Sequence, residues 1–107
     1  MNANNQQTEQ EMEMVETQYW ADQYEALTRL ESNKDFQLVI LQGYFKDRAL
    51  DNVSMLGTDY VKKSGLRPEL MEALVAISTL QDHFSTIKNI GGVAEEDISD
   101  LEGPEVE

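Results

Sequence analysis

LMEALVAISTLQDHFSTI, from Leu70 to Ile87, is the stretch whose reading decides the fold. Leu70, Leu74, Ile77, Leu80, Phe84 and Ile87 recur at spacings of 4, 3, 3, 4 and 3 residues, which is the period of one face of an α-helix. Pro68 stands just ahead of the stripe, where its missing N–H costs nothing and its fixed φ suits a first helical turn. Gly91-Gly92 follows the stripe. Because glycine most readily adopts the left-handed conformation that ends a helix, the pair predicts a stop there. Lys88 then falls in the last turn, where the helix dipole favours a cation.

Upstream, from Phe36 to about Leu56, two apolar rows run side by side. One holds Phe36, Ile40, Gly43, Leu50 and Val53, the other Leu38, Leu41, Phe45, Ala49 and Leu56. A helix apolar over so wide an arc is covered on more than one side. It is therefore the central element, facing the Leu70–Ile87 helix in an antiparallel hairpin. Gly43 inside it costs on the order of 1 kcal/mol relative to alanine. It either admits a close neighbour, such as the ring of Trp20, or marks a break between two shorter helices. Ser32-Asn33-Lys34-Asp35 is a polar break, with Asn33 or Asp35 capping the helix that follows. Gly57 to Arg67 reads as a connection in which Tyr60 and Val61 add a short helical turn.

Thr8 to about Ser32 contains no glycine or proline and is dominated by Glu, Gln, Met, Ala and Leu, so it too favours helix. Thr8 and Glu11 have capping-box spacing. Met12, Val15, Tyr19, then, past a polar interruption at Gln23, Ala26 or Leu27 and Leu30 form a stripe of roughly 3.5-residue period, widened by Trp20, Tyr24 and Leu27. Beyond Gly92, VAEEDISDLEGPEVE has scattered apolar residues and many acids, the composition of a disordered tail. Alternatively, Val93, Ile98, Leu101 and Val106 dock on a partner groove as a short linear motif. No segment alternates strongly enough to predict a strand. The chain reads as all-α: an acidic N-terminal amphipathic helix (1–33), a helical hairpin (34–91) and a disordered acidic tail (92–107).

Such a chain of 107 residues fits one domain with a modest core, so surplus apolar surface favours association with another chain. The net charge is −13, and its distribution is uneven. Residues 1–33 carry seven acids against Arg29 alone, residues 34–91 seven acids and seven bases, and residues 92–107 seven acids and no base. Acidic arms repel nucleic-acid backbones and anionic membranes and favour a basic partner; alternatively, they serve only solubility. The longest apolar run, Ala73 to Ile77, is far too short to span a bilayer, and the polar N-terminus lacks the pattern of a secretory signal.

With no cysteine, disulfides, thiolate metal sites and cysteine nucleophiles are excluded. His83 is the one histidine and reads as a boundary residue of its helix. Glu9, Glu13 and Glu16 share a helical face but read as solvated carboxylates rather than a metal cage. The glycines never fall into a phosphate-loop spacing. No catalytic constellation is present, and no enzyme activity, cofactor or metal is expected. Lys62, Lys63 and Arg67 form the one basic cluster, suited to a phosphate or an acidic surface, or to pairing with the chain's own acidic arm or that of a neighbouring subunit.

DFQLVILQGYFKDRALDNVSML (Asp35 to Leu56) followed by LMEALVAISTLQDHFSTI resembles a group of short acidic helical proteins encoded by tailed bacteriophages. The resemblance covers about half the chain and is carried by Gly43-Tyr44-Phe45-Lys46 and by the spacing to Leu80 and Phe84. It implies a phage origin and a part in virion assembly, in the host cytoplasm or within the particle, without assigning catalytic residues. Taken together, these features predict a binding or assembly protein that contacts a protein partner or a second copy of itself, with no membrane and no direct nucleic-acid contact. Tyr19, Trp20, Tyr24 and Leu27 are the interface candidates, since Trp and Tyr are enriched at binding hot spots. The competing expectation is an acidic inhibitor that captures a basic host protein by imitating nucleic-acid charge.

Overall fold

The computed structural model describes residues 3–102, with side chains described for 9–101. Every element among them is helical: α1 (Ala3–Glu31), α2 (Lys34–Phe36), a π-helical segment π1 (Gln37–Arg48), α3 (Ala49–Leu56), α4 (Asp59–Ser64) and α5 (Arg67–Glu102). No strand occurs among the described residues. The contacts divide the chain into two compact units. The first joins α1 up to Thr28 with α5 from Ser85 onward, and the second is Arg29–Phe84.

In the second unit, local chemistry sets the boundaries. Asn33 caps α2 by accepting the Phe36 N–H at 2.9 Å, and the Gln37 amide donates to the Glu31 carbonyl at 2.6 Å across the polar break. Thr58 caps α4 by accepting the Val61 N–H at 3.3 Å. Gly65 then ends α4 with φ of +75°, a left-handed conformation costly for any residue with a Cβ. The Arg67 Nε–H donates to the Leu56 carbonyl at 3.1 Å, tying the start of α5 to the end of α3. Val61, expected in a connecting turn, is the most deeply buried side chain of the unit. Phe84 lies beside Phe36 and Phe45, with ring centroids 6.0 and 5.5 Å away. Ile77 is buried near the middle of the Leu70–Phe84 stripe.

The two rows of the central element do not both turn inward. Leu38, Leu50 and Val53 are more than half exposed, whereas Ala49 and Leu56 are partly buried and the polar Asn52 is buried. The inward face follows the second row, Leu41, Phe45, Ala49 and Leu56, and Asn52 falls on that face between Ala49 and Leu56 at helical spacing. Asn52 consequently brings its side-chain Nδ2 into the interior without a hydrogen-bond partner. Gly43, in mid-π1, does not end the helix: a Cβ there would lie 3.0 Å from the Leu38 carbonyl of its own helix.

The first unit corrects the C-terminal boundary. α5 does not stop at Gly91 but runs through Gly91-Gly92 to Glu102, so residues 93–102 of the expected disordered tail are helical. Residues 103–107, with Val106 of the linear-motif alternative, lie outside the described residues. Both glycines keep negative φ, Gly65 being the one positive-φ glycine among the described residues. Gly91 is buried against α1: a Cβ there would lie 2.6 Å from the Tyr24 Cβ and 2.7 Å from the Trp20 carbonyl oxygen. Close helix approach, not helix termination, is what this glycine supplies. Ala21, Leu27, Ile87 and Ala94 are the other buried residues of this unit. Tyr24 lies beside Gly91 while Gln10 and Met14 share a groove with Ile98 and Leu101, so the two helices run antiparallel here.

Candidate interaction surface

α1 has two apolar faces. The edge formed by Trp20, Tyr24 and Leu27 turns toward α5: Leu27 is buried, and Trp20 and Tyr24 are partly buried. The more regular stripe turns away. Met12 is 65 %, Val15 70 % and Tyr19 54 % exposed, and these residues line an open groove of about 490 Å³ with Glu11 and Glu16 at its edges. Tyr19 packs edge-on against Trp20 at a centroid distance of 5.2 Å, which holds its ring at the groove. Of the four aromatic and aliphatic candidates, Tyr19 therefore presents its ring to solvent, Trp20 and Tyr24 bridge surface and interior, and Leu27 belongs to the interior.

Charge is concentrated on the same unit. Among residues 9–28 and 85–101 there are ten acids and one base, Lys88, whereas the second unit has eight acids and seven bases. Two acidic arms that are separate in sequence become one strongly anionic helical pair. The crowding shows in one carboxyl: Glu95 is held above the ordinary range near 4.5, chiefly by a hydrogen bond with Glu25, then by partial burial and by the Glu25 charge. Two carboxyls in contact cannot both ionise freely, so one retains its proton more readily.

The basic cluster is in the second unit. Lys62 and Lys63 are exposed in the last turn of α4, and Arg67, also exposed, opens α5 beyond the Gly65 turn while donating to Leu56. His83 is exposed, its ring 6.2 Å from that of Phe84. Among the described residues no group of three or more His, Asp or Glu is placed to hold a metal ion, and no helix is long and apolar enough to cross a membrane.

Two features escaped the sequence. The packing role of Gly91 was hidden because Gly-Gly also signals an end, although Gly91, Ala94 and Ile98 continue the 4, 3, 4 spacing from Ile87. Asn52 was passed over because it is polar, although it stands between Ala49 and Leu56 at the helical spacing of the second row. Compared with known proteins, the chain matches no family model, no curated protein and no solved structure.

Proposed function

We propose that this chain is a non-enzymatic protein of bacteriophage origin that acts through protein–protein contact, as a structural or assembly component of the virion. The observation that carries the reading is the state of α1: one face packs on α5, while Met12, Val15 and Tyr19 on another remain more than half exposed. Uncovered apolar stripes framed by polar residues mark interaction surfaces. The resemblance of the Asp35–Leu56 and Leu70–Ile87 blocks to phage proteins supports the origin. In the same reading the helices around Phe36, Phe45 and Phe84 form an antiparallel hairpin, consistent with Phe84 lying against both other rings. Association with a second copy or another virion protein then covers the exposed surface.

Two measurements test this: the solution mass of the full chain across concentration, and co-purification with particles or assembly intermediates of the phage that encodes it. A chain that stays monomeric and is absent from both overturns the reading. A second reading, capture of a basic host protein, is favoured by the ten-to-one excess of acids in the first unit. It requires binding to a nucleic-acid-binding protein that DNA competes away and that collapses as salt rises.

A further inference from the structure

We infer that the Met12–Val15–Tyr19 groove takes a cationic amphipathic helix of another protein, rather than a second copy of this chain. The inference rests on the reading of the chain as a binding protein and names the chemistry of its partner. Met12, Val15 and Tyr19 occupy successive a, d and a positions of a heptad, the seam of a coiled coil. The seam spans about two turns, or ~10 Å at ~1.5 Å per residue. The flanking g and e positions, which decide partner choice in such pairings, are Glu11 and Glu16, and both line the groove. α1 carries no base before Arg29.

That charge pattern disfavours self-pairing in either direction. A parallel pair sets Glu11 of one copy against Glu16 of the other, and an antiparallel pair sets Glu11 against Glu11 and Glu16 against Glu16. Like charges across a seam oppose association. A helix with leucine-type residues at a and d and Lys or Arg at e and g matches both features at once: its apolar seam covers Met12, Val15 and Tyr19, and its cations meet Glu11 and Glu16.

The test uses the full chain and labelled synthetic heptad peptides: one with Leu at a and d and Lys at e and g, one with Glu replacing Lys, and one with Ser replacing Leu. The Leu/Lys peptide binds, the Leu/Glu peptide does not, and the Ser/Lys peptide binds at least about tenfold more weakly. Val15→Asp, at a position exposed enough to leave the fold unchanged by circular dichroism, weakens the Leu/Lys peptide about tenfold or more. The double variant Glu11→Lys with Glu16→Lys transfers preference to the Leu/Glu peptide. Failure of the Leu/Lys peptide to bind, equal binding of the Ser/Lys peptide, or binding unchanged by Val15→Asp overturns the inference. So does an oligomer of the chain alone that Val15→Asp dissociates; the occupant is then a second copy, and the reading of the chain as a binding protein stands.

Discussion

Substituting alanine for Gly91 and, separately, for Gly92 should move stability in opposite directions, although the two glycines are neighbours in one helix. Each alanine gains ~1 kcal/mol of helix propensity. At Gly92 the added methyl would meet the Tyr24 Cε1 at 3.7 Å, an ordinary contact, so the gain is kept. At Gly91 it would lie 2.6 Å from the Tyr24 Cβ and 2.7 Å from the Trp20 carbonyl oxygen, against a comfortable ~3.5–4.0 Å between carbons. Neither atom can rotate away, so α1 must back off by about 1 Å. A gap of that size forfeits a quarter to a half of each affected contact, and overpacking of this kind costs ~1–3 kcal/mol. With the upper end of that range, Gly91→Ala is destabilised by ~2 kcal/mol net and Gly92→Ala stabilised by ~1 kcal/mol. Urea unfolding followed by Trp20 fluorescence reads the first unit directly, because Trp20 is the single tryptophan and its carbonyl is one of the two contacts. A Gly91→Ala chain as stable as Gly92→Ala would refute the close approach of the two helices.

Three further outcomes follow from features of the two units. Asn52→Leu removes an unpartnered buried Nδ2 and should raise stability by ~1–2 kcal/mol, read as a higher Tm; a lower Tm would mean that the amide has a partner. The exposure of Leu50 implies that Leu50→Ala stays within about 0.5 kcal/mol of the parent, while Phe84→Ala, which removes the ring beside Phe36 and Phe45, costs ~3 kcal/mol; comparable losses in chemical denaturation would show that the Leu50 row is also packed. Glu95 has its folded pKa raised, so the stability linked to that proton is fully present below about 4.5 and is lost as pH rises through the raised value. Glu95→Gln should flatten this part of the stability–pH profile without changing it below that range, and an unaltered profile in the variant would show that the Glu25–Glu95 contact does not form.

Sequence periodicity was most informative where the backbone is a regular α-helix. The Leu70–Ile87 stripe turns inward, with Ile77 and Ile87 buried, because nothing between Pro68 and Ile87 disturbs 3.6-residue winding. It misled at Leu50 and Val53, where two apolar rows were visible and only the second, Leu41, Phe45, Ala49 and Leu56, keeps facing inward through α3. In α1 both apolar faces were visible, but their order was not: the more regular Met12–Val15–Tyr19 stripe is exposed and the Trp20–Tyr24–Leu27 edge is packed. That choice is made by α5, whose small Gly91 and Ala94 lie in the packed part of the same unit, and small residues let helix backbones approach closely.

The pairing of Tyr24 with Gly91 also imposes a schedule on biosynthesis. Tyr24 emerges 67 positions before the glycine it packs against, so at ~5–20 residues per second α1 waits roughly 3–13 seconds on the ribosome for its cover. The residues of the second unit, Arg29–Phe84, are all synthesised within that interval, and loops between nearer residues cost less entropy to close. Until Gly91 is made, the second apolar edge of α1, with Trp20 and Tyr24 on it, lacks the surface of α5 it packs against.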